Sequence, residues 1–127
     1  MVLTAASRYA LWDLSPDGSQ IAIRIPGEAR IRILSLGGEP SRDVRVYGWT
    51  FDEYSWLFWS TDGRGWYVPG QSAGGTDLLY VDLEGPAYVL THMAGTPQTW
   101  AVPSPDGRYL AYTQWNSLSN VWMIQGF

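Results

Sequence analysis

The sequence predicts an all-β protein, and three observations carry that prediction. The chain has 127 residues, of which 46% are hydrophobic and 15% aromatic, with eight Trp and eight Tyr against three Phe. Such a load favours pleated, flat-packed surfaces over a helical bundle. Its fourteen Gly and eight Pro fall in short clusters along the whole length, as turns at regular intervals do. One tetrapeptide recurs as Ser15-Pro16-Asp17-Gly18, Ser60-Thr61-Asp62-Gly63 and Ser104-Pro105-Asp106-Gly107, its Asp residues 45 and 44 positions apart.

Each copy lies between an apolar run and an apolar triplet, namely Ile21-Ala22-Ile23, Trp66-Tyr67-Val68 and Leu110-Ala111-Tyr112. Glycine supplies the positive φ that a tight hairpin needs, and Pro or Thr before the Asp helps to set the turn, so each motif predicts strand, turn, strand. A third strand follows at Ile31 to Leu36, at Leu78 to Leu83 and at Val121 to Gln125. A fourth follows Gly37-Gly38 as Val44 to Tyr47, and Glu84-Gly85-Pro86 as Ala87 to Thr91. Four short strands in 40 to 45 residues, repeated in tandem, are the signature of propeller blades. The expected layout is one unit over 1–127: blade 1 at about 8–47, blade 2 at about 54–91, and strands A to C of blade 3 at about 98–127.

The last repeat stops after its third strand, and the first is preceded by Met1-Val2-Leu3-Thr4, which shares Val-Leu-Thr with the segment before the third repeat. Met1, Val2, Leu3 and Thr4 are therefore expected to form the outer strand of the final blade, against Val121, Trp122, Met123 and Ile124. Three blades do not surround an axis, because propellers close with 4 to 8. Two copies would give a six-bladed ring, so the expected partner is a second copy, in a homodimer closed by exchanged strands.

The hairpin with Arg108-Tyr109-Leu110-Ala111-Tyr112 behind it, and the strand Leu79-Tyr80-Val81-Asp82-Leu83-Glu84-Gly85, resemble TolB-like repeats, also described as WD-like β-propeller repeats. The resemblance implies a bacterial propeller acting as a sensor, an interaction domain or the gate of a peptidase. Proper WD repeats match less well: Trp12-Asp13 lies in a first strand, and no Gly-His pair is present.

Composition excludes several functions. The net charge is -4 and the eight basic residues are all Arg; Arg24, Arg30, Arg32, Arg42 and Arg45 are interspersed with Glu28, Glu39 and Asp43, a mixed solvated face with no nucleic-acid stripe. No run approaches the roughly 18 apolar residues that span a bilayer, so no membrane partner is expected. One His and no Cys predict no metal and no cofactor; localisation stays open, since Cys-free chains occur in cytoplasm and periplasm alike.

Gly70-Gln71-Ser72-Ala73-Gly74 fits the G-x-S-x-G pattern, with Asp77 or Asp82 and then His92 in hydrolase order. That elbow needs a helix directly after the Ser, whereas Thr76 to Leu83 reads as a strand. The sequence therefore places Ser72 in a hairpin loop and His92 in a loop before the third blade, and predicts no catalytic residues. Asp17, Asp62 and Asp106 are explained by turn chemistry. Trp12, Trp56, Trp59, Trp66, Trp100 and Trp122 are expected in the core between blades. Trp49 and Trp115 fall in connecting loops and, with Tyr54 and Asn116, form the candidate ligand site, for a peptide or a glycan. The functional expectation is a non-catalytic scaffold, natural or a trimmed half-propeller; the alternative is a propeller piece of a larger hydrolase, peptidase or sensor.

Overall fold

A computed structural model describes residues 11–25, 28–51, 56–95, 101–114, 123 and 125. The described residues form ten strands and no helix. The first sheet is an antiparallel meander of β1 (Leu11–Leu14), β2 (Gln20–Arg24), β3 (Arg30–Ser35) and β4 (Arg42–Arg45). The second repeats that order with β5 (Phe58–Trp59), β6 (Gly65–Ser72), β7 (Gly75–Asp82) and β8 (Ala87–Ala94), and β9 (Ala101–Pro103) and β10 (Leu110–Tyr112) form a third, two-stranded piece. Met1 to Thr4, and the strand expected from Val121 to Gln125, lie outside the described residues apart from Met123 and Gln125.

The recurring tetrapeptide folds the same way three times. Ser15 Oγ donates to Asp17 Oδ1 at 2.7 Å, that oxygen accepts the Ser19 N–H at 3.0 Å, and Ser15 Oγ accepts the Gln20 N–H at 2.9 Å. Ser60 and Asp62 repeat the set with the N–H groups of Arg64 and Gly65, and Ser104 and Asp106 with those of Arg108 and Tyr109. The glycines that close these turns have φ of 74°, 70° and 71°, where a Cβ would be strained. Hydroxyl and N–H donors on one oxygen favour the ionised carboxylate: the Ser15 hydroxyl, followed by Ser19, lowers the Asp17 pKa to about 2, and Ser60 and Ser104 lower those of Asp62 and Asp106.

Strand alternation gives each sheet two apolar faces, and the core forms where two such faces meet. Ala22, Ile31, Ile33 and Val44 of the first sheet pack with Trp59, Trp66, Val68, Leu79 and Val81 of the second. On the second sheet's other face, Leu78 and Met93 pack with Ala101, with Tyr67 and Leu110 against them. Two polar links cross these junctions. Asp13 Oδ2 accepts the Trp59 N–H at 2.8 Å while the Trp59 indole donates to the Asp13 carbonyl at 3.0 Å, and Thr61 Oγ1 donates to the Ser104 carbonyl at 2.8 Å. Burial raises the Asp13 pKa against these backbone bonds.

Several expectations need correction. β4 begins earlier than Val44 and ends before Tyr47, and β8 runs three residues beyond Thr91. Ser72 is the last residue of β6 and His92 lies inside β8, neither in a loop. Trp59 and Trp66 are core residues, but Trp12 and Trp56 are exposed. The first-half arginines also divide: Arg30 and Arg32 pair with Asp43 at 3.0 and 2.8 Å on the surface, whereas Arg24 is fully buried.

Candidate functional site

Two regions present chemistry to the outside. The first is the outward face of the first sheet. Trp12 stands opposite Ile23 and Leu14 opposite Ile21 in the β1–β2 ladder, and Leu34 lies beside Ile21 from β3. All five side chains share one face, apolar up to Arg32 opposite Ile23, on which Trp12 is 61% and Leu14 44% exposed. The repeat spacing sets Leu57, Trp59, Trp66 and Val68 at the places of Trp12, Leu14, Ile21 and Ile23; there Leu57 is 1% and Trp59 4% exposed, because the first sheet covers them. Beyond β9 and β10, Val102 and Ala111 are cross-strand partners and are exposed on the face turned away from the second sheet.

The second region is the end of the second sheet opposite its Asp-Gly turn, where residues of the G-x-S-x-G segment meet His92. The β7–β8 ladder pairs Leu79 with Val89 but Leu78 with Thr91, so Leu90 is an extra residue, a β-bulge. Without it His92 would stand opposite Thr76, on the other face. With it His92 stands opposite Asp77, and Met93 opposite Thr76 reaches the core with Leu78. One inserted residue thus delivers an imidazole to a carboxylate.

Asp77 is 8% exposed and its Oδ1 takes two contacts: His92 Nδ1 at 2.5 Å and Ser72 Oγ at 3.0 Å. Ser72 Oγ is also 3.4 Å from the same His92 Nδ1. The three groups form a triangle and not a relay. A serine nucleophile needs one imidazole nitrogen while the carboxylate holds the other; here Ser72 and Asp77 share Nδ1, the Ser72 proton is directed to Asp77, and neither engages Nε2. A strand follows the turn instead of a helix, so no helix N-terminus stands behind Ser72. The motif is filled in sequence and unfilled in geometry.

Trp49 reaches the same face from the segment after β4. Phe51 bridges Gly70 and the Gln71 N–H donates to the Thr50 carbonyl at 2.8 Å, an antiparallel alignment that carries Trp49 alongside Ser72. The Trp49 ring covers Gly70, where Cε3 would lie 2.8 Å from an added Cβ. Gly70 is itself the cross-strand partner of Asp77. Trp49 is half-buried, with part of the ring against the core. Of the predicted ligand residues, Tyr54, Trp115 and Asn116 lie outside the described residues.

A cleft of about 640 Å³ separates the second sheet from β9 and β10, lined by Asp62, Tyr67, Tyr80, Leu90, Asp106 and Leu110 among others. Its two carboxylates are engaged in their own turns. Among the described residues no three His, Cys, Asp or Glu side chains converge as a metal ion requires. No known family matches the chain, and no curated protein does.

Proposed function

We propose that the chain is a three-bladed unit of a β-propeller, TolB-like in its repeats, that closes into a six-bladed ring with a second copy and serves as a non-catalytic binding and interaction scaffold. The observation that carries this reading is the contrast between Trp12 and Leu14, exposed, and Leu57 and Trp59, buried at the same places of the repeat. A contiguous apolar face of this kind marks an interaction surface. The complement to such a face is already present within the chain: the first sheet's other face covers the second sheet, and the second sheet's other face covers β9 and β10. Carried one step on, the far face of one copy's third repeat covers Trp12 and Leu14 of the next.

Two copies supply six blades, within the range that closes, and three would supply nine, outside it. Met1 to Thr4 of each copy then pair with Val121 to Ile124 of the other. Sedimentation equilibrium tests the reading: the expected mass is two chains, falling to one when Trp12→Arg places a charge in the junction. A mass of one chain for the unaltered protein at concentrations up to about 100 μM contradicts it, since that is weaker than about 5 kcal/mol of association.

A further inference from the structure

We infer that Trp49, Ser72, Asp77 and His92 form a saccharide-binding platform at the end of the second sheet. This inference rests on the reading of the chain as a binding module, but not on ring closure, because all four residues belong to one chain and one face. The bulge at Leu90 is the first support. Bulges are concentrated at sites where a side chain has to be re-aimed, and this one moves His92 from the far face onto Asp77.

The donor set is the second. His92 meets Asp77 through Nδ1 at 2.5 Å, which anchors a half-exposed ring by that nitrogen, and Nε2 is the one Asp77 does not engage. His92 Nδ1 and the Ser72 hydroxyl meet on Asp77 Oδ1, so an imidazole, a hydroxyl and a carboxylate lie within hydrogen-bond reach of one another on one face. Sugar hydroxyls, which both donate and accept, suit a cluster of this composition.

Trp49 supplies what a hydrogen-bonding cluster lacks. Its ring lies over Gly70, one strand from Asp77 and two from His92. A pyranose has an apolar C–H face and a polar rim, and an indole beside a hydrogen-bonding cluster matches both together. An anion finds no cation in this set, and an organic cation would compete with the imidazole for a carboxylate that already has its partner. A neutral polyhydroxylated ring is the class that remains.

The chain has a single His, so acylation of Nε2 by diethyl pyrocarbonate, followed by absorbance, reports on His92 alone. Chitotriose, cellotriose and maltotriose are each titrated while Trp fluorescence is followed. One of the three should saturate in the millimolar range and slow His92 acylation about fivefold or more. Trp49→Ala and His92→Gln should each weaken that binding roughly tenfold, equivalent to about 1.4 kcal/mol. His92→Gln alters a half-exposed side chain and keeps the fold, so its result stands even where Trp49→Ala does not fold. Trp12→Arg should bind the sugar as the unaltered chain does; loss of association with sugar binding intact would separate the two readings. No saturation by any of the three, or saturation that leaves His92 fully reactive and is unchanged in His92→Gln, overturns the inference.

Discussion

The outer face of the first sheet and the equivalent face of the second are built to one pattern and end in opposite surroundings. Both carry an apolar row from first strand to third, Trp12, Leu14, Ile21 and Leu34 in one, Leu57, Trp59, Trp66 and Val81 in the other, but Arg32 opposite Ile23 stands where the second sheet has Leu79 opposite Val68. Covering separates them as well as composition: the first sheet packs over Leu57 and Trp59, whereas among the described residues no sheet lies over Trp12 and Leu14. The difference shows that a repeat of this kind leaves its outer surface uncovered until a neighbouring sheet packs on it. It also shows where polar links are needed: the covered junction holds Asp13 on the Trp59 backbone and indole, and the residues at the place of Asp13 in the later repeats are Phe58 and Val102.

Truncating the buried member of the pair costs most. Trp66→Ala is expected to cost about 3–5 kcal/mol, the usual range for emptying a fully buried aromatic site, and Leu14→Ala on the exposed face of the first sheet should cost visibly less in the monomeric Trp12→Arg background. Urea midpoints measure both, and equal losses would show that the first sheet's outer face is packed within the chain after all. Asp13→Ala comes next, at about 1–3 kcal/mol, because the Trp59 N–H is left without an acceptor inside the junction. A change confined to the surface would instead stay within about 0.5 kcal/mol.

The smallest effect is in acid. Asp17, Asp62 and Asp106 have depressed pKa values, so their contribution is complete above the unfolded value of about 3.9 and is lost as pH falls through the folded values, about 2 for Asp17. Asp13 is raised, so its contribution is complete below the unfolded value and is lost as pH rises through the folded one. Denaturation profiles between pH 6 and pH 2 should therefore fall monotonically with acid in Asp13→Asn but pass through a shallow rise first in the unaltered chain. Superimposable profiles would contradict the assignment.

Much of the fold is legible in the sequence because it rests on local chemistry. Ser-x-Asp-Gly specifies its own hydrogen bonds within six residues, and the three turns and the strands around them follow directly. The clustering of Ser72, Asp77 and His92 was not legible in the same way. The motif is visible, yet its outcome depends on a bulge at Leu90, a residue that reads as one more apolar position in a strand and carries no turn signal. Trp12 misleads for a related reason: its pattern is that of a core residue, and whether it is covered depends on a neighbour that lies outside its own repeat. Arg24 belongs to the same class, a charged residue whose full burial follows from its register opposite Ile31 and not from its local sequence.

Disulfide formation between copies shows whether the third repeat of one copy covers the first sheet of the next. The chain has no Cys, so introduced thiols report without background. Within the chain Asp13 touches Trp59 at 2.8 Å, and the same step at the junction between copies sets Val102 against Leu14. Mixing Leu14→Cys protein with Val102→Cys protein under mild oxidation should give a cross-linked heterodimer in preference to either homodimer. Homodimers alone, or no cross-link beyond that of a control pair at Leu36→Cys and Tyr47→Cys, would contradict the account.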